Sequence, residues 1–89
     1  MNAENAEEPS DRALMRRIVA RDESALRLMY DRHGGRLLAV AHRILGDRSR
    51  AEDVLQEAFV AIWNVAASHD DRDGSAFAWL YSIVRFKAI

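Results

Sequence analysis

The apolar residues between Ser49 and Ala66 recur with the spacing of one face of a helix. They follow one another at intervals of three and four residues, at Ala51, Val54, Leu55, Ala58, Phe59, Ile62 and Ala66. This spacing predicts an amphipathic helix whose apolar stripe is buried in a core. Ser49 with Glu52 three residues later has the form of a capping box, so we expect the helix to begin at about Arg50.

Two helices are predicted before this one. Ser10 or Asp11 can cap the first, which runs to about Ala20 with Leu14, Ile18 and Val19 facing inward. Asp22 can cap the second, a long helix that crosses Gly34-Gly35 and ends at Gly46, since glycine is common just past a helix end. From Leu26 its apolar positions keep a helical period, at Met29, Tyr30, His33, Leu37, Val40, Ala41, Ile44 and Leu45.

The end of the chain predicts a loop and a fourth helix. Residues 68–74 have turn composition without an apolar anchor and predict an exposed loop. Ser75 can cap a helix from Ala76 onward, with Leu80, Ile83 and Val84 facing inward. No alternating strand pattern occurs. The sequence therefore predicts an all-α fold, a small bundle of about four helices in residues 11–89, preceded by a flexible leader in residues 1–10.

Composition excludes several classes of protein. The 89 residues include no cysteine, so disulfide staples and thiolate metal sites are excluded. No run of about eighteen apolar residues and no apolar signal segment occurs, so we expect no membrane span and a cytoplasmic location. The histidines His33, His42 and His69 lack the spacing at which two imidazoles share a metal ion. No catalytic constellation or phosphate loop is evident, so we expect neither an enzyme nor a cofactor.

The charges are divided along the chain although the net charge is only −1. Residues 11–50 carry ten arginines against five acids, whereas residues 51–73 carry one arginine against six acids. Residues 74–89 carry Arg85 and Lys87 and no acid. Segments of opposite sign suggest two kinds of partner.

The outward face of the helix after Ser49 admits two interpretations. Asp53 and Glu57 lie four residues apart, and such a like-charge pair is tolerated on a solvated face at a cost of roughly 0.2–0.5 kcal/mol. Val60 and Trp63 place apolar and aromatic groups beside the charges, as is typical of an interface. A solvated face and a docking surface both remain open at this point.

The last helix combines aromatic and basic residues without a carboxylate. Rings can stack on unpaired bases at about 1–3 kcal/mol each, while Arg85 and Lys87 can neutralise phosphates. Aromatic residues at helical spacing in a small bundle are also common in cores. The exposure of Phe77, Tyr81 and Phe86 distinguishes a base-binding surface from a core, and we expect Trp79 to be largely core.

Two groups of residues form extended motifs. The first group is Leu37-Leu38-x-x-Ala41-x-Arg43-x-Leu45-Gly46-Asp47 with Ala51-Glu-Asp-Val-Leu-Gln-Glu-Ala-Phe59 and Ile62-Trp63. The second is Gly74-Ser75 with Ala78-Trp79-Leu80-Tyr81-x-Ile83. Together they resemble conserved region 2 of bacterial RNA polymerase sigma factors, in the extracytoplasmic-function (ECF) group of the sigma-70 family. Several motifs in the right order make this resemblance more specific than any one motif.

The resemblance implies a transcription initiation module that docks on the beta-prime clamp helices of core RNA polymerase and holds the promoter minus-ten element as melted, single-stranded DNA. The clamp-binding residues of the family correspond to Asp53, Gln56, Glu57 and Val60. Its base-capturing loop and helix correspond to residues 72–87, with DNA contacts expected at Arg72, Ser75, Phe77, Trp79, Tyr81, Arg85, Phe86 and Lys87. An anti-sigma factor that covers these surfaces is the second implied protein partner.

The chain departs from the family pattern at the DNA-facing end. Phe77 stands where an arginine is common, and Phe86 stands where an asparagine is common. The family also implies a second, promoter-reading helical domain, so we expect this chain to be a fragment of a longer protein. The alternatives are a helical protein-interaction module that binds an anti-sigma factor without DNA activity, and a helix-turn-helix repressor. The repressor is disfavoured because the last helix offers aromatic residues in place of base-reading arginine, asparagine and glutamine.

Overall fold

The computed structural model describes residues 8–69 and 75–89. Within these ranges the chain forms four α-helices, α1 (Asp11–Val19), α2 (Glu23–Leu45), α3 (Arg48–Val65) and α4 (Ala76–Ala88), with a 3-10 turn (Ala66–Ser68) after α3. The described residues contain no strand, which confirms the predicted all-helical bundle. Most of the predicted loop, including Arg72, lies outside the described residues.

α2 is the long central helix of the bundle and packs against each of the other three. Its buried side chains follow one another at helical spacing, at Ala25, Met29, His33, Leu37 and Ala41. The stripes of the other helices close over them, with fully buried Leu14 and Ile18 from α1, Leu55 and Ile62 from α3, and Leu80 and Val84 from α4. The core is therefore built where the apolar periods of the four helices meet.

Three of the predicted N-caps are confirmed, and so is the prediction that α2 ends at a glycine. Ser10 Oγ accepts a hydrogen bond from the Ala13 backbone N–H at 3.1 Å, and Ser75 Oγ accepts one from the Ala78 backbone N–H at 3.0 Å. Asp22 Oδ1 accepts from the Ser24 backbone N–H at 3.0 Å. Gly46 ends α2 with a φ of 72°, a left-handed conformation that glycine adopts without a Cβ clash.

The predicted capping box at the start of α3 is wrong. The N-cap is Asp47, whose Oδ1 accepts a hydrogen bond from the Arg50 backbone N–H at 3.1 Å. Ser49 lies inside the first turn, and Glu52 pairs with Arg48 at 3.1 Å. Asp47 caps a helix as well as Ser49 does, and it directly follows Gly46, at which α2 ends. The next helix therefore begins at Asp47, the first side chain that can accept the capping hydrogen bond.

Several residues of the predicted apolar stripes lie at the edge of the core. Val19, Tyr30 and Ile44 are each exposed by 40% or more. The prediction that Val19 is buried is wrong, because it lies beside, and not on, the centre of its helical stripe. Met15, which was not predicted, is buried on α1.

The turn between α1 and α2 is joined to the far end of α3 by Arg21. This residue has a φ of 70°, an uncommon conformation for a residue with a side chain. Its Nη1 donates a hydrogen bond to the Trp63 carbonyl at 2.7 Å, and its guanidinium lies 4.1 Å from the centre of the Trp63 ring. The conformation of the turn thus directs a cation onto the last turns of α3.

The two possible caps of α3 can be separated by mutation. Asp47→Ala removes the acceptor of the Arg50 N–H, so we expect the free energy of unfolding to fall by about 1 kcal/mol. Ser49→Ala removes no cap and should change it by less than about 0.5 kcal/mol. Urea denaturation of both variants measures the difference. Equal losses, or a larger loss for Ser49→Ala, would contradict the assignment of Asp47.

The cap of α2 should make stability depend on pH. A hydrogen bond from the Ser24 side chain, followed by one from Arg17, lowers the pKa of Asp22 below its ordinary value of 3.8. The stabilising effect of the Asp22 carboxylate is complete above its ordinary pKa and disappears as the pH falls through the lower pKa of the folded state. Asp22→Asn keeps a capping oxygen without the charge. We therefore expect the difference in melting temperature between wild type and Asp22→Asn to shrink as the pH falls from about 5 to about 2. A difference that stays constant in circular-dichroism melts would contradict this effect.

Candidate functional site

The four predicted clamp-binding residues form one exposed stripe on α3. Asp53, Gln56, Glu57 and Val60 occupy positions i, i+3, i+4 and i+7, and all four are exposed. The buried stripe of the same helix, which includes Leu55, lies on its other side. Val60 is 61% exposed, so the stripe includes apolar surface beside its charges. We call these four residues the α3 face.

The carboxylates of the α3 face are not neutralised within the described part of the chain. No basic side chain of residues 8–69 or 75–89 lies within ion-pair distance of Asp53 or Glu57. The neighbouring Glu52, in contrast, accepts a hydrogen bond from Arg48. The α3 face therefore presents two negative charges and an apolar side chain, all available to a partner.

An open groove of about 690 Å³ between α2 and α3 continues the α3 face. Phe59 and Trp63 line it from α3 beside Gln56 and Val60, while Tyr30 lines it from α2. The Tyr30 ring meets Phe59 edge to face, with ring centres 5.0 Å apart, and lies so close to Gly34 that a Cβ on residue 34 would be 3.4 Å from it. Tyr30 belongs to the predicted apolar period of α2, and the small residue four positions later is the signal that its ring could lie flat along its own helix.

The predicted DNA contacts on α4 fall on two flanks of the helix. Phe77, half-buried, and Tyr81 lie four residues apart on the flank toward α2, with ring centres 6.4 Å apart. Trp79, also half-buried, lies on the other flank, where its ring centre is 4.9 Å from that of His69. Ser75 uses its hydroxyl as the N-cap of α4. These side chains therefore do not form one continuous platform.

The C-terminal half of α4 carries the exposed aromatic and basic groups. Tyr81 is 39% and Phe86 is 80% exposed, and together with Arg85 they line a shallow surface groove. Lys87 is exposed in the last turn. An 80% exposed phenylalanine has no role in the core, so its exposure favours a surface that binds a partner. We call Tyr81, Arg85, Phe86 and Lys87 the α4 surface.

A polar cluster that was not predicted joins α1, α2 and α4. His33, only 6% exposed, lies with its Nε2 at 2.8 Å from Asp11 Oδ2. Asp11 also accepts a hydrogen bond from Arg32 at 2.8 Å. On the other side of the imidazole, Arg36 Nη2 lies 3.3 Å from His33 Nδ1. The ring of Phe77 covers His33, with ring centres 5.0 Å apart, so the cluster reaches the candidate DNA contacts.

Neither a metal site nor a membrane-spanning helix occurs in the described residues. No three histidine, cysteine or acidic side chains of residues 8–69 and 75–89 are grouped so that they could hold a metal ion. Among the helices of these ranges, none combines the length and apolar character needed to cross a membrane.

Comparison with known proteins identifies the class to which this bundle belongs. The sequence profile of the Sigma-70 region 2 family matches residues 29–89, which include most of α2 and the whole of α3 and α4. The chain belongs to the Sigma-70 region 2 family, which confirms the resemblance seen in its motifs. This family is a class of non-enzymatic transcription factors, so the expectation that the chain is not an enzyme is confirmed as well.

Individual relatives agree with the family. The chain is 32% identical over 77 residues to proteins described as ECF RNA polymerase sigma factor SigK from Mycobacterium tuberculosis (strain ATCC 25618 / H37Rv) and from Mycobacterium bovis (strain BCG / Pasteur 1173P2), a match that covers 86% of this chain and 41% of each relative. The SigK protein of Mycobacterium sp. (strain KMS) is 32% identical over 76 residues, or 85% of this chain and 39% of the relative. The chain thus spans about two fifths of the length of these curated relatives.

Proposed function

We propose that this chain is the module of an ECF sigma factor that docks on the clamp helices of core RNA polymerase and holds the promoter minus-ten element as single-stranded DNA. The observation that carries the proposal is the presence of two exposed surfaces of different chemistry on one bundle. The α3 face is acidic with an apolar residue at its C-terminal end, and the α4 surface is aromatic and basic. The relatives are described as RNA polymerase sigma factors, which agrees with both assignments.

Docking through the α3 face is supported by its free charges. Asp53 and Glu57 lack a basic partner within the described residues, so their carboxylates can meet basic groups of the polymerase without first breaking an internal ion pair. Val60, one helical turn after Glu57, offers apolar area that becomes buried in the complex. The adjoining groove, with Tyr30 and Trp63, extends the contact onto α2. Aromatic anchors beside complementary charge are typical of the centre of a protein interface.

Charge reversal on α3 tests the docking surface. Asp53→Arg places a cation against the proposed basic partner, so we expect affinity for core RNA polymerase to fall by about tenfold or more. Glu8→Arg is the matched control, because it makes the same change of charge at an exposed acid outside α3 and its adjoining groove. Affinities are measured by fluorescence anisotropy with core polymerase. If the two variants bind alike, the α3 face is not the docking surface.

DNA binding is assigned to α4 and the preceding loop. Phe86 and Tyr81 expose ring surface for stacking on unpaired bases, and Arg85 lines the same shallow groove, where it can contact a phosphate of the strand. Lys87, exposed in the last turn, offers a second cation on another side of the helix. Ser75, Phe77, Trp79 and Arg72 belong to the proposal as well. Of these, Arg72 lies outside the described residues, and the half-buried Phe77 and Trp79 offer only part of their rings.

Removal of the exposed ring on α4 tests the assignment to DNA. Phe86→Ala should weaken binding of a single-stranded minus-ten oligonucleotide to the complex with core polymerase by roughly tenfold, the loss of about one stacking contact. Its free energy of unfolding should change by less than about 0.5 kcal/mol, because the side chain is 80% exposed. Oligonucleotide binding is followed at two salt concentrations. Failure of the wild-type complex to bind at either would favour the alternative, an interaction module without DNA activity.

Regulation and location follow from the same proposal. An anti-sigma factor that covers the α3 face or the α4 surface would block one of the two proposed contacts, because both surfaces are exposed. Core RNA polymerase is a cytoplasmic enzyme in bacteria, so we propose that this protein acts in the cytoplasm.

A further inference from the structure

We propose that Arg36, on α2, is a DNA-contacting residue that extends the nucleic-acid surface beyond α4, where its guanidinium binds a phosphate of the single strand beside the Phe77 ring. This inference rests on the proposed function and deepens it. It assigns to the second helix a contact that the sequence motifs place only in residues 72–87.

The position of the guanidinium carries the proposal. The Arg36 Cζ atom lies 4.4 Å from the centre of the Phe77 ring, within the range of a cation–π contact. The residue is exposed, and no carboxylate of the described residues pairs with it. Within residues 8–69 and 75–89, the one contact of its five N–H groups to a polar atom is that of Nη2 with His33. The remaining donors are free to bind an anion from solvent.

The Arg36 side chain is also held in place by its contact with His33. Arginine can only donate, so the 3.3 Å contact of Nη2 makes His33 Nδ1 the acceptor. The proton of a neutral His33 is then on Nε2, which donates to Asp11 Oδ2 at 2.8 Å. Asp11 is itself fixed by Arg32 at 2.8 Å. A cation held over an aromatic ring loses less conformational freedom on binding a phosphate than a freely mobile arginine does.

Arg36 begins a row of groups suited to a single strand. From the guanidinium the row runs over the Phe77 ring to Tyr81, whose ring centre is 6.4 Å from that of Phe77. Arg85 follows one helical turn after Tyr81 and lines the same shallow groove. Two rings between two cations match an unpaired strand, since bases can stack on the rings while phosphates meet the cations. The row crosses from α2 to α4 because Phe77 packs on α2.

The test compares three variants in the complex with core polymerase, using a single-stranded minus-ten oligonucleotide over a range of salt concentrations. We expect Arg36→Gln to weaken binding roughly tenfold at low salt, and to reduce the slope of log affinity against log salt by about 0.7, the value for one phosphate contact in a single strand. Arg36→Lys should keep the slope, because it keeps the charge. Arg43→Gln, an exposed arginine of the same helix without the Phe77 contact, is the control.

The outcomes separate this inference from the proposed function. If the wild-type complex does not bind the oligonucleotide, both are overturned. If it binds, and Arg36→Gln has the wild-type slope or falls no further than Arg43→Gln, the role of Arg36 is wrong while the proposed function stands. Thermal unfolding and polymerase affinity of Arg36→Gln should match those of the wild type, because a glutamine amide can still donate to His33. A loss of oligonucleotide affinity that merely follows a loss of folding would also overturn the role of Arg36.

Discussion

Met29, Leu37 and Ala41 on α2 have no exposed surface, and α1, α3 and α4 each pack against this helix. Helices of these lengths are marginal in isolation, so their stability comes mainly from burial of the shared apolar stripe, at about 25 cal/mol for each Å² removed from water. Burial of this stripe also fixes the rotation of every helix about its axis. Because Leu55 and Ile62 must face α2, the α3 face must point outward.

His33 is the polar exception within that stripe. A buried imidazole is costly unless its nitrogens are hydrogen-bonded, and here Asp11 and Arg36 satisfy one nitrogen each. Because both imidazole nitrogens need a partner, His33 links Asp11 in the first turn of α1 to Arg36 on the exposed surface of α2. Since Phe77 covers the same imidazole, the packing of α4 depends on the cluster as well. Core stability and the geometry beside the proposed DNA surface therefore depend on the same few groups.

Features that depend on interactions within a few residues of the chain were predicted correctly from the sequence. Helix number, the caps at Ser10, Asp22 and Ser75 and the outward position of Asp53 follow from spacing and from backbone hydrogen bonding within a few residues. Prediction failed at the start of α3, where Asp47 and Ser49 are both possible caps. It also failed at the edges of the apolar stripes, because periodicity predicts which way a side chain points but not how much of it is exposed. It could not find the contact of Arg36 with Phe77, because that contact is created by the packing of two helices far apart in the chain.

Near-neutral net charge is a weak argument against nucleic-acid binding in a bundle of this kind. At physiological ionic strength charges are screened over about 8 Å, so a strand responds to the nearest cations and hardly at all to acids on another face. Arg36 and Arg85 lie on the aromatic row, whereas Asp53 and Glu57 lie on a separate helix whose outward side the core fixes. Phe77, at the position where the motif comparison led us to expect an arginine, has the Arg36 guanidinium 4.4 Å from the centre of its ring. Under the proposed role of Arg36, α2 supplies the charge that a position-by-position comparison of motifs counts as lost from α4.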